Sequence, residues 1–507
     1  MPTLSDNLSL SDFVKIVIHD EPINLDEKII ERAQQSFDFL KQFAEDKVIY
    51  GVNTGFGPMA QYRISDEKRN QLQYNLIRSH ATGMGNKFNA LYAKATLLAR
   101  LNSLALGKSA IHPQALKLMT AMLNKNIVPV IYEHGGVGAS GDLVQLAHLA
   151  LVLIGESHVV YDQKIKKTAD AFAENGLRPL KIHLREGLAL MNGTSAMSGV
   201  GMVNSLMAKK LLDWSIAAST MITEIVNAYD DHLSIELNAA KKHEGQQKIA
   251  QMMREHLHDS TLSRKREHHL YSGHNKENIF KEKVQEYYSI RCVPQILGPV
   301  LDTMNSVEKT LLEEINSAND NPIVDVEKQQ VYHGGNFHGD YISLEMDKLK
   351  LVVTKVSMLA ERQLNYLLNP KLNDILPPFV NMGELGLNFG MQGAQFTATS
   401  TTAENQALST SLYVHSIPNN NDNQDIVSMG TNAALMTKKV IDNAFEIMSI
   451  EMVTIVQAID FLAVRDKVSS RSRKIHDDIR EIFPTFKEDE PMHEKLAMVK
   501  DFLMKIK

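Results

Sequence analysis

Ala139-Ser140-Gly141 is a tripeptide that can react with itself. Gly141 offers an unhindered amide nitrogen to the Ala139 carbonyl, Ala139 adds little bulk, and Ser140 can lose its hydroxyl as water to leave an exocyclic methylidene. The product is an electrophile made from the chain. The tripeptide lies in His134-Gly-Gly-Val-Gly-Ala-Ser-Gly-Asp142, where Gly136, Gly138 and Gly141 also satisfy G-x-G-x-x-G. A dinucleotide-binding turn would use such glycines to bring backbone N–H groups and a helix N-terminus against a pyrophosphate, with Glu156 or Asp162 on the ribose. No run of alternating strands and helices surrounds the motif to build a parallel sheet, so a nicotinamide-dependent oxidoreductase is the weaker reading. A non-catalytic helical scaffold, with the glycines serving only as a turn and helix cap, is the third.

Reacting groups need a rigid frame, and the second half of the chain supplies long helices. From Val300 the apolar residues Met304, Val307, Leu311 and Ile315 recur at three or four positions, the stripe of a helix packed on one face. Further stripes predict helices over 347–368 and 431–464, the latter without an internal Gly or Pro. A mainly α fold is expected, with a long central helical bundle. Strand-like pieces are short and peripheral: residues 48–52, 128–132, 158–162 and 322–326. The polar tract from His256 to Asn278, with basic residues 264–266 and His268, His269 and His274, reads as a solvated loop because its histidines lack metal-ligand spacing. No regular repeat and no Pro-rich or Gly/Ser-rich linker separates independent domains. One composite body is expected, residues 1–200 carrying the reactive segments and residues 201–507 the long-helix bundle and C-terminal helices.

Composition narrows the partners. With 507 residues, 44% apolar and 22% charged, the chain has the make-up of a globular protein and falls outside the disordered and fibrous classes. A net charge of −6 argues against nucleic acid and anionic membranes and leaves small molecules as partners. The single cysteine, Cys292, cannot form an internal disulfide, which suits a reducing compartment; the cytoplasm is expected. The N-terminus lacks the basic and apolar regions of a signal peptide. The apolar run near Leu146 to Ile154 is far shorter than the roughly 18 residues that span a bilayer.

The stretch GGVGASGDLVQLAHLAL resembles the signature of the aromatic amino acid ammonia-lyases, which include the histidine, phenylalanine and tyrosine enzymes. In that family the Ala-Ser-Gly tripeptide becomes a methylidene-imidazolone prosthetic group. Further matches run from Tyr50 to Met429. The resemblance implies a histidine ammonia-lyase-like fold, a homotetramer whose neighbouring subunits complete each site, and no metal or soluble cofactor.

Eliminating ammonia from an α-amino acid requires a base for a poorly acidic β-proton, an electrophile or acid for the leaving group, and a clamp for the carboxylate. Tyr50-Gly-Val-Asn-Thr-Gly-Phe-Gly57 is similar to the family's mobile tyrosine loop, which makes Tyr50 the expected base. A tyrosine ordinarily ionises near about 10, so nearby positive charge or hydrogen-bond donors would be needed. Val284 to Gln295 is similar to the family's second signature and places Gln285, Tyr288 and Arg291 at site positions. Arg291 supplies the planar fork that a carboxylate fits. Asn192 in LALMNGTSA matches the asparagine that contacts the prosthetic group, and Phe337 in HGGNFHGD the aromatic beside it.

Selectivity is read from two segments that disagree. Histidine enzymes carry a glutamate that pairs with imidazole, whereas the run Asn419 to Met429, which includes Asn420 and Asn423, places Gln424 there. That pattern looks like the phenylalanine and tyrosine branches. Ser79-His80, by contrast, resembles the histidine-branch pair, where many tyrosine enzymes have His-Leu and phenylalanine enzymes Phe-Leu. Gln424 carries more weight, because a neutral amide substitutes poorly for a carboxylate while Ser79 and His80 can also meet a phenolic hydroxyl. The expected reaction converts L-tyrosine to trans-4-coumarate and ammonia, in resemblance to the bacterial tyrosine branch. Histidine and phenylalanine deamination are the alternatives, as is a related aminomutase that returns ammonia to the β-carbon. Attack on the electrophile by the substrate amine or by its ring is left open.

Overall fold

Some 58% of the residues are helical and the strands are few and short. The computed structural model describes residues 2–4, 7–271, 273, 278–280 and 283–506; His274 lies outside the described residues. The chain divides into two compact units of interleaved segments. Unit 1 comprises residues 1–205, 307–347 and 411–438, and unit 2 residues 206–306, 348–410 and 439–507.

In unit 1, α1 (Arg69–His80), α2 (Ala90–Ala105), α3 (Leu143–Leu153) and α4 (Glu186–Met191) form the frame of the reactive segments. Helix α1 packs on both α3 and α4. Helix α2 is capped by the Asn89 side chain, which accepts from the Tyr92 N–H, and is buried almost all round. Such a helix belongs to an interior rather than a surface. Four long helices follow: α5 (Ser195–Ile225), α6 (Val293–Ile315), α7 (Asp340–Leu368) and α8 (Gly430–Leu462). Each contributes a segment to both units. The stripe Met304, Val307, Leu311 and Ile315 is fully buried on α6, as the periodicity predicts.

Polar side chains tie the long helices within each unit. In unit 1 the Asn204 amide donates to the Ala434 carbonyl (2.7 Å) and the Thr437 hydroxyl to the Met346 carbonyl (2.8 Å). In unit 2 the Gln363 amide donates to the Ser219 hydroxyl (2.9 Å), and Asn405 is bonded to the Ser357 hydroxyl and the Asn443 amide (3.0 and 2.9 Å). Buried amides that find partners fix helix register, since a slip would leave them unpaired at a cost of about 1–3 kcal/mol each. Among the described residues no helix is long and apolar enough to cross a membrane.

The predicted strands at 158–162 and 322–326 exist as His158–Tyr161 and Ile323–Asp325, each in an antiparallel pair. The other two differ. Residues 128–132 split: Val128–Pro129 pairs with residues 159–160, whereas Tyr132–His134 pairs with residues 84–87. Residues 48–52 form a turn, because Gly51 takes φ +74° while Ile49 and Val52 both enter one apolar cluster with Leu40, Ala44, Ala110 and Val324. Alternation cannot send two residues three apart to the same core, whereas a turn can.

Residues 256–266, the first part of the polar tract, carry packed side chains where a solvated loop is expected. His256 ends the helix Glu244–His256, is buried, and bonds to the Ser472 hydroxyl at 2.8 Å. Arg264 and Arg266 lie over the Tyr229 ring, 4.9 and 4.4 Å from its centroid, so the basic run packs on an aromatic instead of forming a free patch.

Candidate active site

The Ala139–Gly141 turn is gripped from both ends. On its N-terminal side the Gly138 carbonyl accepts from the Ser428 hydroxyl (3.0 Å) and the Gly339 N–H (3.3 Å), and the Val137 carbonyl from the Met429 N–H (3.0 Å). On its C-terminal side the Asp142 N–H donates to the Gly193 carbonyl (2.8 Å). The Asp142 carboxylate accepts from the Ala196 and Met197 N–H groups at the start of α5 (both 2.8 Å) and from the Thr431 hydroxyl. Free N–H groups of a helix N-terminus are natural partners for a carboxylate. Burial nevertheless pushes the Asp142 carboxyl up to about 6.

Ser140 is held by two neutral amides. Asn192 Nδ2 donates to the Ser140 carbonyl (3.1 Å), and Gln424 Nε2 to the Ser140 hydroxyl (2.8 Å). Asn192, at the C-terminal end of α4, is fixed in turn by the Asn321 N–H on its Oδ1 (2.9 Å). Gln424 closes a tight turn in which Asn419 and Gln424 exchange backbone bonds and Asn420, Asn421 and Asp422 all have φ between +51° and +58°. Asn and Asp enter that left-handed region more readily than other non-glycine residues.

These observations bear on whether the residues fit a methylidene-imidazolone. Gly141 has φ +68°, and a Cβ there would lie 2.1 Å from the Gly193 carbonyl oxygen, so only glycine fits. Ala139 is buried, and the groups that must rearrange, the Ala139 carbonyl, the Ser140 hydroxyl and the Gly141 nitrogen, share one clamped bend. The residues fit the group.

Tyr50 is linked to the Asn419–Gln424 turn through a short relay. Its hydroxyl accepts from the Gly57 N–H (3.0 Å), and its ring meets Phe56 edge-on. Gly57 in turn lies against the Asn420 amide, 2.7 Å from where a Cβ would be. The tyrosine loop therefore touches the turn that carries Gln424. Phe337 is half-buried, two residues before the Gly339 N–H that bonds Gly138. Asn423 is exposed and bonds through its N–H to the Asn420 carbonyl (3.2 Å).

Ser79 and His80 end α1. The Ser79 hydroxyl donates to the Leu76 carbonyl (3.1 Å) and lies 3.0 Å from His80 Nδ1, which itself faces the same carbonyl. Burial pulls the His80 imidazole below its ordinary value, partly offset by that carbonyl.

Gln285, Tyr288 and Arg291 belong to unit 2 and line one cleft of about 700 Å³ with Lys283, Arg362 and Tyr366. Arg291 Nε donates to the Glu286 carbonyl (2.8 Å), and its guanidinium lies 4.8 Å from the centre of the Tyr288 ring. That bond fixes the plane of the fork without using its two Nη groups. The structure thus gathers Tyr50, Asn420, Gln424, Ala139 to Gly141 and Asn192 in unit 1, and the three residues of the second signature in unit 2.

Sequence reasoning missed Asp142 and Arg100. Arg100 is fully buried and donates to the carbonyls of Ala189 and Asn192, behind the residue that holds Ser140. Its signal was an arginine within the apolar run of α2; that of Asp142 was its place directly after the reactive tripeptide.

The fold is shared with known proteins. A profile of aromatic amino acid lyases matches residues 8–481, and the chain belongs to that family. It is 39% identical over 500 residues to a tyrosine 2,3-aminomutase of Myxococcus sp. (strain Mx-B0), covering 97% of this chain and 95% of the relative. It is 38% identical over 495 residues to a histidine ammonia-lyase of Stigmatella aurantiaca, covering 97% and 94%. A crystal structure of tyrosine aminomutase from Streptomyces globisporus superposes with a TM-score of 0.95 at 34% identity, covering 99% of this chain and 97% of that one. The family works through a methylidene-imidazolone.

Proposed function

We propose that this chain removes ammonia from L-tyrosine to release trans-4-coumarate, using a methylidene-imidazolone formed from Ala139, Ser140 and Gly141. The observation that carries the reading is Gln424 on the Ser140 hydroxyl at 2.8 Å. A neutral amide stands where an imidazole substrate would want a carboxylate. When formed, the group supplies an electrophilic carbon that turns a poor leaving group into a good one.

The chain's own residues do the rest. Tyr50 takes the β-proton at its phenolic oxygen, oriented by the Gly57 N–H. Asn192 holds the back of the turn, and Phe337 packs at its side. Arg291, its plane fixed by Glu286, takes the substrate carboxylate with its two Nη groups, with Gln285 and Tyr288 beside it. Ser79 and His80 meet the phenolic hydroxyl, while Asn420 and Asn423 shape the turn that presents Gln424. Phenylalanine brings no hydroxyl to Ser79 and His80, and sites built for a hydroxyl discriminate against the analogue lacking it. The same reading carries a homotetramer whose neighbouring copies complete each site, and a cytoplasmic location.

A second reading is favoured by the 39% identity to a tyrosine 2,3-aminomutase: the same first step, followed by return of ammonia to the β-carbon. Purified protein incubated with L-tyrosine and no added cofactor separates the two when products are resolved by chromatography and mass. Free 4-coumarate with equimolar ammonia supports the lyase. A β-amino acid isomeric with tyrosine, without net ammonia, supports the mutase. Turnover of histidine alone overturns both.

A further inference from the structure

We propose that Arg100 is a positioning residue for formation of the prosthetic group, holding the Asn192-Gly193 segment as the wall against which the Ala139–Gly141 turn closes. The inference rests on the reading that this tripeptide cyclises.

Arginine is almost never fully buried unless its guanidinium is paired. Arg100 is fully buried in α2. Its Nη2 donates to the carbonyls of Ala189 and Asn192, the latter at 2.8 Å, and its Nη1 to Asn319 Oδ1 at 3.2 Å. Asn319 is itself held by the hydroxyl of Ser103, one turn further along α2 (3.0 Å). Burial lowers the Arg100 guanidinium to about 10, while Asp320 and Asp142 favour its charge and Arg185 opposes it. It stays a cation at neutral pH.

Gly193 lies directly on this cation. Its φ is +153°, and a Cβ there would come within 2.2 Å of Arg100 Nη1 and 2.6 Å of Asn319 Oδ1. The Gly193 carbonyl points the other way, accepting from the Asp142 N–H and standing 2.1 Å from any Cβ at Gly141. Guanidinium, Gly193 peptide and Gly141 form one column with no slack. Beside it, Asn192 holds the Ser140 carbonyl.

Cyclisation joins the Gly141 nitrogen to the Ala139 carbonyl carbon. The Ala139 oxygen leaves as water with the hydrogens of the Gly141 and Ser140 nitrogens, and the Ser140 hydroxyl leaves as a second water with its α-hydrogen. An unconstrained chain spends little time in so contracted a turn, and fixing it costs backbone entropy. Arg100 carries that constraint by binding two carbonyls at the end of α4 through Nη2 and Asn319 through Nη1, a planar two-nitrogen fork that a lysine cannot reproduce.

The test compares the full-length parent with Arg100→Lys, which keeps the charge, and Asn319→Ala, which keeps Arg100 but removes its side-chain acceptor. Each protein is purified folded, as judged by a cooperative thermal transition, and the peptide spanning residues 139–141 is weighed. The expected result is a deficit of two waters throughout the parent, loss of that deficit in most subunits of Arg100→Lys, and a smaller loss in Asn319→Ala. Turnover per cyclised subunit should stay near the parental value, which separates group formation from a role in the reaction. Folded variants that are as fully cyclised as the parent overturn the Arg100 role alone. A parent without the deficit overturns the functional reading and this role with it. If Arg100→Lys does not fold, Asn319→Ala decides: an undiminished deficit there counts against the proposal.

Discussion

Gln424 donates its side-chain amide to the Ser140 hydroxyl at 2.8 Å, although 284 positions separate the two residues in the chain. The contact joins the segment proposed to select the substrate to the central residue of the reactive tripeptide.

Gln424→Glu places a charged acceptor where an imidazole N–H could use it. The variant should gain kcat/KM for histidine relative to tyrosine. Replacing Ser79-His80 by Phe-Leu should strip the phenolic hydroxyl of its partners and move preference toward phenylalanine, by roughly 10- to 200-fold for apolar discrimination. Measuring kcat/KM for the three amino acids on parent and variants checks both. A parent that prefers histidine would contradict the weight given to Gln424.

Tyr50→Phe retains the ring that meets Phe56 and removes the oxygen that accepts from Gly57. The chemical step should fall by about 10²-fold or more if that oxygen is the base. Arg291→Lys keeps the charge but loses the planar fork, and should raise KM. Near-parental single-turnover rates for Tyr50→Phe, or an unchanged KM for Arg291→Lys, would return that residue to a structural role.

Helix positions were legible from local pattern, because an apolar residue at every third or fourth place admits one solution, as Met304 to Ile315 shows. The motifs single out Asn192 and Gln424, and both side chains bond to Ser140. Residues 48–52 misled because β-branched composition signals a strand while Gly51 at φ +74° makes a turn. Arg100 and Asp142 were hidden for another reason: their partners, Asn192 and Thr431 among them, lie far along the chain and only packing brings them near. No local pattern encodes such a pair.

His256 sets a pH dependence of stability. Burial lowers its folded value from 6.5 to about 3, so the folded state resists a proton that the unfolded chain accepts. Stability from this group is complete above about 6.5 and is lost as pH falls from there toward about 3, reaching ~1.4 kcal/mol near pH 5.5. Thermal melts of parent and His256→Gln across this range should converge as the pH drops. Parallel curves would contradict it.

Arg185 and Asp320 are both fully buried, with guanidinium to carboxylate distances of 3.1–3.2 Å. Asp320→Asn leaves a buried cation without its counter-charge, and should lower unfolding stability by about 3–5 kcal/mol. Denaturant midpoints measure this; a change under 1 kcal/mol would mean that the bonds of Arg185 to the Ser109 and Asn321 carbonyls suffice.

The central claim is that the chain makes its own electrophile from Ala139, Ser140 and Gly141. The most direct measurement is the mass of the peptide spanning these residues, from the folded parent and from Ser140→Ala. The account predicts a parent peptide lighter by two waters and a folded Ser140→Ala protein that has lost almost all turnover. An unmodified parent peptide in folded, active protein would contradict it.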